Sequence, residues 1–181
     1  MPLQVVLDSD GLIKLAKASI LQVLVRVWKC LIPRAVYSET VERGIHFGYP
    51  DALTIRDALH ADMVRPRARD PRATALLQGK RHLGRGELDA LHLLLASRAD
   101  AIVSDDSAFV SVLDHAGLPY LPPALVLVQL RQQGHLDPKS ALEGLERMRP
   151  FIRTEVYATA RDDLRSLRSS GPRRTDTGEN P

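Results

Sequence analysis

Short apolar runs in this chain are each followed by a longer stretch in which apolar positions recur at three- and four-residue intervals. Val5-Val6-Leu7 is the first run and reads as a buried strand. Leu12, Leu15, Ala16, Ile20, Leu21, Leu24, Val25 and Trp28 then follow the i, i+3, i+4 spacing of an amphipathic helix, with Ser19 placed to cap a second segment. Cys30-Leu31-Ile32 predicts a second strand closed by Pro33. Ala35 to Arg43 predicts a helix that turns Val36 and Val41 inward and stops at Gly44. A further helix is expected from Asp51 to His60, a weak strand at Met63-Val64, and a helix from Ala73 to Leu83.

The strongest helical pattern runs from Glu87 to Arg98, with Leu88, Leu91, Leu94 and Leu95 on its apolar face. Ala101-Ile102-Val103 is another buried strand, followed by a helix with Phe109, Val112 and Leu113 inward and Gly117 at its end. Leu118 to Leu121 gives a last strand. Helices follow from Pro122-Pro123 to near Gly134, from Asp137-Pro138 to about Met148, and from Arg153 to Leu167. Strands alternating with helices predict an α/β domain with a short, mostly parallel sheet. From Ser169 onward no apolar residue can anchor the chain, so residues 1–168 are expected to form the domain and 169–181 a disordered tail.

Composition narrows the function classes. The 181 residues suit one buried domain, and a hydrophobic fraction of 44% supports its core. A net charge of +3, with arginine dominating over lysine, permits a polyanionic partner without requiring one. The single Cys30 excludes an intramolecular disulfide and a multi-cysteine zinc site, and its apolar surroundings predict a buried, inert thiol in a reducing cytoplasm. No segment resembles a signal peptide or a membrane span, so a soluble protein is expected. Three Phe, four Tyr and one Trp leave no aromatic platform for stacking bases.

Acids recur where strands end and helices begin. Asp8 follows the first strand, Glu39 lies in the helix after the second, Glu87 and Asp89 open the strongest helix, and Asp105-Asp106 follow Ala101-Ile102-Val103. Right-handed parallel connections bring every strand C-terminus to one edge of the sheet, where such folds collect ligands. Asp8-Ser9-Asp10-Gly11 is also ordinary turn and N-cap chemistry, as is Asp105-Asp106. Clustered carboxylates without matching lysines repel one another unless a cation neutralises them. Hard oxygen donors suit Mg²⁺ or Mn²⁺ rather than zinc, and such ions support in-line attack on a phosphodiester.

Four pieces in this order resemble the PIN domain family, and within it the prokaryotic group that often forms the toxin half of a toxin–antitoxin pair. They are Val5-Val6-Leu7-Asp8-Ser9 with Leu12-Ile13-Leu15-Ala16; Leu31-Ile32-Pro33 with Val36 to Val41; Gly86-Glu87-Leu88-Asp89-Ala90-Leu91; and Ile102-Val103-Ser104-Asp105-Asp106 with Phe109. The segment from Phe151-Ile152-Arg153 to Tyr157 also resembles that group's C-terminal part. The resemblance implies a three-layer α/β/α fold and a metal-dependent ribonuclease. Asp8, Glu39, Asp89 and Asp106 would be its catalytic acids and its Mg²⁺ or Mn²⁺ ligands, with Ser104, Glu87 and Asp105 in support. Expected partners are an RNA substrate, an antitoxin protein and a second copy of the chain.

Asp10 departs from the family pattern and is assigned to helix capping. Arg65, Arg67, Arg69, Arg72, Lys80, Arg81 and Arg85 are candidates for phosphate contacts, each with a solvated-surface alternative. His92 is expected to pack or face solvent. Two other functions stand beside the nuclease: a catalytically inactive PIN-like module that binds RNA or protein, and an aspartate-nucleophile phosphatase built on Asp8-x-Asp10.

Overall fold

A computed structural model describes residues 2–77 and 83–169. In chain order the elements are β1 (Gln4–Leu7), α1 (Ser9–Lys17), α2 (Leu21–Val27), β2 (Lys29–Pro33) and α3 (Arg34–Tyr37). A π-helical segment, Ser38–Arg43, joins α3 to α4 (Gly44–His46), and α5 (Pro50–Ala58) and β3 (Val64–Arg65) follow. The rest comprises α6 (Pro71–Leu77), α7 (Arg85–Ser97), β4 (Ala101–Val103), α8 (Ser107–His115), β5 (Tyr120–Leu121), α9 (Pro123–Gln132), α10 (Pro138–Met148) and α11 (Thr154–Ser169). Lys80, Arg81 and the tail beyond 169 lie outside the described residues.

The sheet runs β3-β2-β1-β4-β5, and every pairing is parallel, more uniform than the mostly parallel sheet the sequence predicts. Val6 pairs with Leu31 on one side and Ile102 on the other. Side chains alternate across the sheet, which divides the core. Val6, Leu31 and Ile102 pack with Leu91 and Leu94 of α7 and with Phe109 and Leu113 of α8. Val5, Leu7, Cys30, Ile32 and Val103 face the other way, onto α1, α2, α9, α10 and α11. The result is the expected three-layer α/β/α arrangement. β1, β2 and β4, the three inner strands, are buried on both faces, and this is why they read as unbroken apolar runs.

Two helix boundaries differ from the sequence pattern. The periodicity from Leu12 to Trp28 is broken at Ser19, which adopts a left-handed φ of 60°; Ser19 does not cap α2, whose N-cap position is taken by Ile20 with no side-chain hydrogen bond. The helix expected to stop at Gly44 runs on to His46. A Cβ on Gly44 would lie 2.7 Å from Ala52 Cβ, so glycine here lets α5 approach closely, and the stop falls at Gly48 with φ 73°.

Candidate active site

β1 and β4 end side by side, since Leu7 pairs with Val103, and the next residue of each strand is polar and buried. Asp8 is the N-cap of α1, its Oδ1 accepting from Gly11 N at 2.6 Å. A Cβ on Gly11 would fall 2.2 Å from Val103 O, so only glycine lets α1 begin this close to β4. Ser104, fully buried, accepts from Asp106 N at 3.3 Å and hydrogen-bonds the Asp8 carboxyl. Asp106 in turn caps α8, its Oδ1 accepting from Ala108 N and Phe109 N at 3.0 and 2.9 Å. Asp8 and Asp106 therefore cap helices and also face the strand edge.

The capping role assigned to Asp10 belongs to Asp8. β1 runs to Leu7, so α1 starts at Ser9 and leaves Asp10 inside the first turn, four residues before Lys14. Lys14 Nζ donates to Asp10 Oδ2 at 2.8 Å and to Asp105 Oδ1.

A cavity of about 410 Å³ opens at this edge, lined by Asp8, Asp10, Glu39, Glu87 and Asp106 together with Arg43 and Arg85. Glu39 arrives from the π-helical segment, whose widened turn also carries Arg43 to the cavity wall. Ser9 Oγ donates to Glu39 Oε2 at 2.9 Å. Glu87 sits in the first turn of α7, where its Oε2 accepts from Gly84 N at 2.7 Å. Gly86 lies between these groups, 3.5 Å from both Glu39 Oε2 and Ser9 Oγ as measured from an added Cβ.

A second cavity of about 470 Å³ shares Glu39, Arg43, Arg85 and Gly86 with the first and adds Arg34, Arg67 and Asp89. Asp89 is thus separated from Asp8 and Asp106, although sequence groups the three. It is buried, and Arg67 Nε lies 3.1 Å from its Oδ1 without the alignment of a hydrogen bond. Asp105 is likewise drawn away, onto Lys14. Of the arginines that sequence offers for phosphate contacts, Arg67 and Arg85 line these cavities; Arg72 instead pairs with Asp70, and Arg65 is part of β3. Arg34 and Arg43 were not anticipated, and no local pattern distinguishes them from other surface arginines. His92 is buried, with Nδ1 accepting from Asp70 N at 2.8 Å, which is the packing role expected of it.

Charge in the first cavity is poorly compensated. Burial, reinforced by the charges of Asp10 and Asp105, pushes the Asp8 carboxyl up to about 7 against the hydrogen bonds from Ser104 and Gly11. Burial and the nearby Asp106 and Glu39 carboxylates also raise Glu87. Asp105 rises to about 6, chiefly through burial, with Lys14 opposing.

A family model for the PIN domain matches residues 4–166. The chain belongs to the PIN domain family. No curated protein and no solved structure matches it. PIN domains are generally nucleases and typically use divalent metals, which places this chain among the hydrolases at a coarse level. No helix among the described residues is long and apolar enough to cross a membrane.

The donor chemistry of this PIN domain fits a hard divalent cation. Its cavity presents only carboxylate oxygens as anionic groups, and in the adjoining cavity Asp89 Oδ1 is buried beside Arg67 with no hydrogen-bond partner. Among the described residues no three acidic or histidine side chains stand close enough to hold an ion as placed. Glu39 and Glu87, the two long side chains, are each held by one hydrogen bond among the described residues and are the ones able to turn inward.

Proposed function

We propose that this PIN domain is a Mg²⁺- or Mn²⁺-dependent endoribonuclease acting as the toxin of a toxin–antitoxin pair. One observation carries the reading: an acidic cavity with Asp8, Glu39, Glu87 and Asp106 on its wall opens into a cavity lined by four arginines. Carboxylates in excess of their counter-ions attract metal, arginines attract phosphate, and a phosphodiester lying across the shared rim meets both. Asp8, Glu39 and Asp106 would hold the ion, with Glu87 beside them; Asp89 joins the set only if Arg67 is displaced. The chemistry a bound Mg²⁺ or Mn²⁺ supplies there is neutralisation of charge on a phosphodiester under in-line attack.

The chain's own residues do the remaining work. Arg43 and Arg85, which have no ion-pair partner among the described residues, bind the phosphates on either side of the scissile bond. Ser104 orients Asp8 and links it to the Asp106 backbone. Asp8, pushed up to about 7 in the metal-free site, would have to be ionised to hold the ion, so ion binding displaces a proton there near neutral pH. An exposed apolar cluster of Ile45, Phe47, Tyr49 and Leu53 continues from the π-helical segment and offers a second protein a place to dock, in support of an antitoxin or a second copy as partner.

The test is cleavage of a panel of RNAs with and without Mn²⁺, in wild type, Asp8→Asn and Asp106→Asn. Asparagine caps a helix as well as aspartate does, so both variants keep the fold, and cleavage should be lost in each. Undiminished activity in both variants would sink the mechanism. The spread of the acids favours a second reading, a non-catalytic RNA- or protein-binding module. Calorimetry that detects no Mn²⁺ binding to folded protein decides for it. A phosphatase built on Asp8 would need Asp10 free to protonate a leaving group, and Asp10 is engaged by Lys14.

A further inference from the structure

Lys14 is the lysine drawn into this acidic edge, and the metal chemistry just proposed leaves it unused. It lies on α1 with Asp10 one turn behind it, the i, i+4 geometry in which a side-chain ion pair forms along a helix. Asp105 reaches the same ammonium from the end of β4, which is paired with β1 and therefore brought beside the start of α1. The side chains of Lys14 and Asp105 are 12% and 2% exposed, so this is a part-buried contact held from two elements.

A pair of divalent ions lies roughly 3.5–4 Å apart and needs ligands on both flanks of a shared carboxylate. Asp8 is the central carboxylate here. Glu39, Glu87, Asp106 and Asp10 lie with it on the cavity wall, Asp10 tied there to Lys14, and Lys14 also holds Asp105 from behind the wall. One oxygen each of Asp10 and Asp105 is thus already held by an ammonium, whose positive charge stands beside them where a second ion's would.

We propose that Lys14 is a built-in counter-ion occupying the second cation position, so that the acidic cavity takes one divalent ion and not two. The inference rests on the metal-binding reading above and deepens it. Lys14 acts as a positioning residue, holding Asp10 and Asp105 out of the ligand set. Substituting it with an uncharged side chain releases two carboxylates beside Asp8 and creates the missing half of a two-ion site.

The experiment is a Mn²⁺ titration of metal-free, full-length protein, counting bound ions by calorimetry and by the electron paramagnetic resonance signal of free Mn²⁺. Wild type should bind one ion, Lys14→Met two, and the double variant Lys14→Met/Asp105→Asn one again. If Lys14→Met does not fold in chelator, the count is made on Lys14→Gln, whose amide still donates to a carboxylate without supplying charge. Two ions in wild type, or one in the folded single variant, overturns the role of Lys14 and leaves the nuclease reading standing. No ion in wild type overturns both. A merely structural lysine would change stability and leave the number of bound ions at one.

Discussion

Replacing Asp8 with asparagine should stabilise the metal-free protein, by nothing below pH 3.8 and by an amount that grows until about pH 7. Below 3.8 the carboxyl is protonated in the folded and the unfolded chain alike, and contributes nothing. Between 3.8 and about 7 the unfolded chain gives up the proton while the folded chain keeps it, so the fold loses stability as pH rises. Above about 7 the loss is complete. Moving the carboxyl from 3.8 to about 7, at about 1.4 kcal/mol for each pH unit, amounts to about 4 kcal/mol. Relaxation round a buried charge reduces such figures, and about 2–4 kcal/mol is the expected range. Asparagine keeps the acceptor for Gly11 N but cannot ionise, so Asp8→Asn should gain that amount at about pH 8 and nothing near pH 4.

Urea unfolding in chelator at a series of pH values measures this directly. Trp28 is the sole tryptophan, 4% exposed, with Nε1 donating to Gln133 Oε1 at 2.9 Å, and its fluorescence reports loss of the core. Taking the difference between variant and wild type removes the titration of every other group, provided the denaturant slope is unchanged. Saturating Mn²⁺ should reverse the order, since ligand binding stabilises wild type by mass action and the variant lacks the charge that holds the ion. A difference that stays flat with pH, or a variant less stable than wild type at about pH 8, refutes the claim that Asp8 is held under electrostatic strain.

Three further outcomes follow from the geometry. Gly11→Ala places a Cβ 2.2 Å from Val103 O, so α1 must move off β4; about 1–3 kcal/mol should be lost in urea unfolding despite the better helix propensity of alanine. Phe109→Ala empties a fully buried site between α8 and the sheet and should cost about 3–5 kcal/mol in the same assay. Arg43→Ala and Arg85→Ala should each weaken RNA binding and lower the slope of log affinity against log salt by about 1, with little change in stability.

The α/β class, the strand positions and the edge carrying the acids were legible because parallel strands buried on both faces leave unbroken apolar runs, as at Val5 to Leu7 and Ala101 to Val103. Glu39 stood among the acids near the strand edge, but its helix gives no reason to prefer it to Glu42, and the family resemblance made that choice. Some of the rest was available and not read. Glu87 and Asp89 are two apart on one helix and cannot share a face, so only one of them could look towards Asp8; the structure chooses Glu87. Asp10 and Lys14 carry the i, i+4 signature of an ion pair, but that Asp105 completes it depends on β4 lying beside β1. That the cap falls to Asp8 and not to Asp10 turns on where β1 ends, a boundary that three-dimensional pairing sets and local propensity does not. Arg34 became part of the site only through the packing of α3 against α7, and Arg43 through that of the π-helical segment against α1 and α5.

The opposition first drawn between capping and chemistry dissolves at Asp8 and Asp106. α1, α7 and α8 all begin at this cavity, and each N-terminus presents unpaired N–H groups and a partial positive charge that favours anions. A capping carboxylate uses one oxygen on those N–H groups and is thereby fixed in orientation, with its other oxygen left for a cation. The helix ends do not cancel the accumulated charge, because Asp8 is still pushed to about 7. The fold therefore holds these acids in place at a cost that a bound cation relieves. It follows that asparagine at Asp8 or Asp106 separates the two duties, preserving the cap and removing the charge, whereas Glu39 caps nothing, and Glu39→Gln, which keeps an acceptor for Ser9 Oγ, reports on its charge.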